Sequence, residues 1–258
     1  MTATVLASAP ASGVRLLTIS RPERRNALDR ATYALLGASL AEADRDASVA
    51  AIVLTGAGNC FTSGNDIADF RTDDTQDAEA PTEPAAAVSS PGLSFLRDLV
   101  GVSKPVIAAV EGFAVGIGTT LLLHCDLAYA GQGARFRLPF VRLGLCPEGS
   151  STYLLPLLAG QKLASELLLI GDEFPARVAA QAGIVNAVTE DGQSLETAIE
   201  KAARIAALSP EAVLATKKLL RRGYATAISE TLEEEARHFH ALRRSEAAQQ
   251  AFRAFLSR

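Results

Sequence analysis

Short apolar, strand-like runs alternate with helical segments to about residue 190, and from Ser194 onward no strand-like run occurs. Alternation of this kind implies an α/β core built from strand–helix units, and a tail of helices follows it. Val14 to Ile19, Val49 to Leu54, Pro105 to Val110, Asp126 to Ala130, Ala134 to Leu138 and Ile184 to Val188 read as strands, because aliphatic and β-branched residues dominate them. Helices are expected from a cap at Asp29 to about Ala43, near Leu93 to Val100, and from Gly116 through about Cys125. Ser150 to Leu158 and Leu163 to Ile170 read as two more. The tail divides into Leu195 to Ala207, Glu211 to Arg221, and Ile228 to Leu256 in one or two pieces. The expected organisation is a core over 1–190 and a helical region over 191–258. Apolar and charged faces in that region suit packing either on its own core or against a partner subunit.

Several function classes fall away on composition. A chain of 258 residues buries enough surface to need no disulfide staples. Its net charge of −4 offers no global basic field for nucleic acid or anionic membranes. Cys60, Cys125 and Cys146 are odd in number and lack metal-like spacing, so free thiols in a reducing compartment are expected. His238 and His240 diverge on a helix and His124 stands alone in a leucine run, so no metal site is expected. The apolar run Thr119 to Leu123 is far too short to cross a bilayer. With no basic, apolar leader and a Ser257-Arg258 ending unlike the Ser-Lys-Leu peroxisomal type, the expected location is cytoplasmic.

Arg71 to Ser90 is the one low-complexity stretch, acidic, proline-bearing and poor in large apolar residues. It reads either as a solvated insertion or as a flap over a site.

Glu148 is the only carboxylate between Asp126 and Glu166, and Gly149, Ser150 and Ser151 follow it. An acid in an apolar stretch is either a helix-start residue favoured by the macrodipole or a buried base with a raised pKa. Two loops share one design, a strand, then glycine turn residues, then a helix. They are Ser63-Gly64-Asn65-Asp66-Ile67 and Ala114-Val115-Gly116-Ile117-Gly118. Backbone N–H groups freed by such turns can stabilise developing negative charge. Gly116-x-Gly118 is not a dinucleotide fingerprint, because Leu121 stands where its third glycine belongs.

The order of landmarks resembles the crotonase superfamily, the enoyl-CoA hydratases and isomerases. The landmarks are Arg21-Pro22 with Asn26-Ala27-Leu28, the Ser63 to Ile67 loop, Lys104-Pro105 to Val110, Gly112 to Gly118, Cys125-Asp126, Leu143-Gly144 with Pro147, and Ala182-Gly183-Ile184-Val185. The resemblance implies an α/β crotonase (ClpP-like) spiral of ββα turns with a C-terminal all-helical trimerisation region. It implies an acyl-CoA substrate, no separate cofactor, since coenzyme A is part of that substrate, and self-association as a homotrimer or dimer of trimers. By position, the backbone N–H groups of Asn65 and Ile117 would form the oxyanion hole. Arg25, Ala27, Leu28, Ser63, Gly64, Asn65, Asp66, Ile67 and Gly116 would border the CoA or substrate, and Phe140 would wall the acyl pocket.

The departures carry the specificity. The two glutamates of the family's hydratases are replaced here by Thr120, expected to pack or cap, and by Phe140. Pro147-Glu148-Gly149-Ser150-Ser151 is instead similar to the peroxisomal-type Δ3,Δ2-enoyl-CoA isomerases, in which one glutamate serves as the base. The expected activity is therefore enoyl-CoA isomerisation with Glu148 as proton shuttle, in fatty-acid or related acyl-CoA catabolism. Another crotonase acyl-CoA activity, such as a hydratase using Glu148 alone, and a non-catalytic acyl-CoA-binding or scaffold module are the alternatives. Asp66 is expected to cap a helix and Asp126 to hydrogen-bond structurally. Lys217, Lys218, Arg221 and Arg222 are expected to form a solvated helix face.

Overall fold

A computed structural model describes residues 3–67 and 90–256. The expected flap therefore lies outside the described residues, save Ser90, and so does all but Ile67 of the short helical piece that the sequence suggests near Ile67 to Phe70. The first sheet begins with β1 (Val5–Ala11), antiparallel to β2 (Val14–Ile19). From β2 the order runs on in parallel through β3 (Ala51–Gly56), β4 (Val106–Val110), β6 (Leu127–Gly131) and β9 (Ala187–Thr189). A second, smaller sheet pairs β5 (Phe113–Val115) with β7 (Arg135–Arg137) and β7 with β8 (Glu173–Pro175). The chain passes from β4 into β5 across only Glu111 and Gly112, and from β6 into β7 across 132–134. Two strands in different sheets followed by a helix make one turn of the expected spiral.

Ten α-helices are assigned among the described residues. α1 (Arg30–Arg45) starts where the Asp29 carboxylate accepts from Thr32 N, and α2 (Pro91–Gly101) where the Ser90 hydroxyl accepts from Leu93 N. Pro91 fits the first turn because its missing N–H would be unpaired there anyway. α3 (Ile117–Thr120) tightens into a 3-10 turn over Leu121–His124. α4 (Ser151–Ala159), α5 (Gln161–Ile170) and α6 (Ala176–Gln181) follow. α7 (Ser194–Ala206) lays Ala198 and Ala202 on one face of the first sheet, against Val53, Ile107 and Tyr129. Alanine on the helix allows this close approach. The opposite face carries the main core, with Leu17, Leu36, Leu54, Phe95 and Leu121 fully buried, each contributing roughly 1.5–3 kcal/mol.

α8 (Pro210–Arg221) corrects the expectation of a solvated basic face. Lys217 is buried and its Nζ meets Asp126 Oδ2 at 2.7 Å, while Arg221 Nη2 meets Asp126 Oδ1 at 3.0 Å. Asp126 Oδ2 also accepts from Val106 N, so it has the expected structural role and moors α8 to the sheet. Lys218 and Arg222 are exposed, as expected. The final helical run breaks into α9 (Ala225–Arg243) and α10 (Glu246–Leu256), where the Ser245 hydroxyl accepts from Ala248 N.

Candidate active site

The first landmark, Arg21 to Leu28, is a clamp for the loops beside it. Asn26 is fully buried in a left-handed conformation (φ 56°), and its side chain donates to Ala57 O and Cys60 O and accepts from Arg21 N. Its carbonyl accepts from the Thr62 hydroxyl. Arg21 in turn reaches Asp29 Oδ2 at 3.0 Å and Asp66 Oδ2 at 3.6 Å. Asp66 is thus tied to an arginine, a partner not anticipated for it.

The two glycine loops lie side by side. Thr62 N donates to Phe113 O and Val115 N donates to Thr62 O, so the loops run parallel from the start. Two glycines make this possible: a Cβ on Gly64, whose φ is +87°, would sit 2.4 Å from Val115 O, and one on Gly118 would sit 2.6 Å from Thr62 Cγ2. Asn65 is bridged to Leu28 through its neighbours, because Leu28 N donates to Gly64 O and Asp66 N to Leu28 O. In such a parallel bridge the N–H of Asn65 itself points the other way. Ile117 opens α3, where a first-turn N–H has no partner within the helix. Neither amide has an acceptor among the described residues. The Asn65 side chain accepts from the Tyr33 hydroxyl at 2.6 Å.

A cleft of ≈ 780 Å³ runs past Arg24, Arg25, Ala27, Ser63, Gly64 and Gly116, with Ile67 and Phe140 also in its wall. A smaller cavity of ≈ 90 Å³ holds Leu28, Tyr33, Leu93, Leu96 and Glu148. Asn65 and Asp66 border both. Phe140, expected to wall the acyl pocket, lines the wider cleft. It leads into the 3-10 turn Val141–Leu143, which carries it to that side.

Glu148 lies before the helix rather than in its first turn. Its backbone carbonyl accepts from the Ser151 hydroxyl at 2.7 Å, and its side chain faces the cavity. Although the residue is only half-buried, protein surrounds the carboxyl itself. Burial pushes its pKa up to about 8; the nearby Glu235 adds to this and a hydrogen bond from Thr120 opposes it. Thr120 Oγ1 donates to Glu148 Oε1 at 2.7 Å. Thr120 is therefore a partner of the carboxylate, beyond the packing or capping role expected. Gly149 permits this contact, since a Cβ there would sit 2.8 Å from Thr120. Buried His124 Nε2 lies 2.8 Å from Gly149 O, and because a carbonyl only accepts, that nitrogen carries the proton. Burial lowers the His124 pKa to about 4, so its ring is neutral near pH 7.

The cysteines are free and half-buried. Burial pushes the Cys125 thiol up to about 12 and the Cys146 thiol up to about 11, which keeps both protonated and poorly nucleophilic. Among the described residues no group of three His, Cys, Asp or Glu is placed to hold a metal ion, and no helix is long and apolar enough to cross a membrane.

This pair of loops beside one buried carboxylate coincides with a family match: the model for "Enoyl-CoA hydratase/isomerase" covers residues 10–258. The chain belongs to the enoyl-CoA hydratase/isomerase family. It is 35% identical to the 2,3-dehydroadipyl-CoA hydratase of Escherichia coli (strain K12), over 95% of this chain and 92% of that one. It is 32% identical to enoyl-CoA delta isomerase 2 of Rattus norvegicus, over 95% of this chain and 62% of the rat protein. The structure of Pseudomonas aeruginosa OdaA superimposes with a TM-score of 0.90 at 40% identity, covering 100% of both chains. The fold is the crotonase fold, and the chain is an acyl-CoA enzyme of the hydratase/isomerase family. Membership does not choose between the two activities, because hydratases and isomerases both stand among its relatives.

Proposed function

We propose that this family member is a Δ3,Δ2-enoyl-CoA isomerase with Glu148 as the single proton shuttle. The observation that carries the reading is the pairing at the cavity wall: Glu148 faces a threonine hydroxyl, where the family's hydratases place a second carboxylate. Hydration needs one group to activate water and another to manage the α-proton, whereas isomerisation needs one base that returns what it takes.

The steps follow from the groups present. The thioester of a 3-enoyl-CoA lies with its carbonyl oxygen toward the N–H groups of Asn65 and Ile117. Ionised Glu148 removes a proton from C2, and the C–H electron pair forms a C1–C2 double bond as the carbonyl pair moves onto oxygen, giving a dienolate. Glu148 then returns the proton to C4 as the double bond settles between C2 and C3. Each oxyanion donor contributes roughly 3–4 kcal/mol. The CoA portion lies in the larger cleft, where Arg24, Arg25, Arg137 and Arg142 can meet its phosphates. Exposed Leu157, Leu169, Leu219 and Leu220 support self-association as a homotrimer or dimer of trimers.

A hydratase using Glu148 alone is the second reading, favoured by the name of the Escherichia coli relative. The test compares turnover of a 3-enoyl-CoA with water addition to a 2-enoyl-CoA by the same purified protein. Faster isomerisation supports the proposal, and dominant hydration replaces it with the second reading.

A further inference from the structure

We infer that Glu235, a buried carboxylate on α9, is a positioning residue that fixes the turn bearing Glu148 and sets the pH at which Glu148 ionises. The inference rests on the reading of Glu148 as the base.

The turn after Glu148 has an unusual construction. Ser150 is a non-glycine residue at φ 52°, a left-handed conformation that L side chains seldom adopt. As the residue before α4 it would ordinarily cap that helix with its side chain. Here its hydroxyl turns away and donates to Ile228 O on α9 at 2.9 Å. The missing cap comes from a residue far along the chain. Glu235 Oε1 accepts from Thr152 N at 2.9 Å and from Thr152 Oγ1 at 2.6 Å, while Oε2 accepts from Ser150 N at 2.6 Å. Three donors on one carboxylate satisfy a group that is only 5% exposed. They also lock the backbone on which Glu148 is mounted, so α9 of the helical tail becomes part of the active-site frame.

The charge has a second consequence. Glu235 lies close enough to oppose ionisation of Glu148, whereas Thr120 on α3 favours it. Other groups face Glu148 as well. His124, from the 3-10 turn, is neutral and bonded to Gly149 O. The Cys146 thiol precedes Glu148 on its own loop. Arg30, Asp66, His240 and Arg243 line the cavity. All of these stay in place in the variants below, so changes on Glu235 and Thr120 isolate the two opposing influences.

The test is the pH profile of kcat/KM with a 3-enoyl-CoA for wild type, Glu235→Gln, Glu235→Asp and Thr120→Val. Glu235→Gln removes the like charge, so its acid limb is expected to move down in pH. Thr120→Val removes a donor to the carboxylate, so its limb moves up. A residue that only stabilises the fold does not move the two limbs in opposite directions. Glu235→Asp keeps the charge but is too short to reach both Ser150 N and Thr152 N. It is expected to keep the wild-type limb while kcat falls about 10-fold or more with KM little changed, and it carries the test if Glu235→Gln fails to fold. An unmoved limb in Glu235→Gln, or wild-type kcat in Glu235→Asp, overturns the inference. Infrared titration of the Glu148 carboxyl, with Glu148→Gln as the spectral blank, separates the two claims. If Glu148→Gln proves active, the reading of Glu148 as base fails, while the titration still shows whether Glu235 governs its ionisation.

Discussion

Thr120 Oγ1 and Glu148 Oε1 are 2.7 Å apart across the cavity wall, which joins the end of α3 to the turn before α4. The hydroxyl orients the carboxylate and favours its charged form. Thr120→Val keeps the volume and loses the donor. Turnover at neutral pH is expected to fall, with partial recovery at higher pH as more of the base ionises. A full pH series measures this. Uniform loss at every pH would mean that the hydroxyl orients Glu148 without affecting its ionisation.

The same carboxylate carries a stability cost with a definite sign. Burial raises its folded pKa from 4.5 to about 8, so the folded state favours the protonated form. The stability this gives is fully present below about pH 4.5 and is lost as pH rises toward 8. Glu148→Gln removes that dependence. The variant is therefore expected to gain on wild type between pH 5 and pH 9 by a few kcal/mol at most. Thermal unfolding at the two pH values measures the difference, and an equal gap at both would contradict it.

Gly64 is needed for backbone reasons. Its φ is +87°, and an added Cβ would meet the Val115 carbonyl at 2.4 Å. Gly64→Ala must push the two glycine loops apart. A loss of about 1–3 kcal/mol in stability is expected, together with a fall in kcat larger than that loss explains. Urea unfolding beside steady-state kinetics separates the two effects.

The Asp126–Lys217 pair anchors α8 at 2.7 Å. Asp126→Asn leaves Lys217 without its counter-charge, and burial already disfavours the lysine's charged form. A loss of about 3 kcal/mol is expected, the low end for breaking a buried pair, because the Asp126 side chain keeps 23% exposure. The double variant Asp126→Asn with Lys217→Met should lose less than the two single changes added together. Urea unfolding of all three variants measures the cycle.

Much of this frame is visible in the sequence, and what escapes it has physical causes. Asp29 as a cap, the apolar runs of β2, β3 and β4, and the isolation of Glu148 are local signals, and local pattern reads them well. β1 escapes because its side chains are mostly small and exposed, so no face is patterned for burial. β5 and β8 span three residues each, too few for a period of two to register, and the short α6 after β8 escapes with them. β9 begins only at Ala187, since Ile184 and Val185 belong to the turn after α6. The roles of Thr120, Lys217 and Glu235 depend on partners distant in the chain, 28 residues away for Thr120 and 85 for the Glu235–Ser150 contact. A charged residue on a helix looks solvated until its counter-charge is located, and for Lys217 that counter-charge lies beneath the helix.

The most direct measurement follows the absorbance of the conjugated enoyl thioester as wild type and Glu148→Gln act on a 3-enoyl-CoA. Wild type is expected to form the 2-enoyl product, and the variant to be folded, able to bind CoA and slower by about 10²–10⁴-fold. Isomerisation at a wild-type rate by the folded variant would contradict the assignment of Glu148 as the base, and a wild type without isomerisation would contradict the proposed activity.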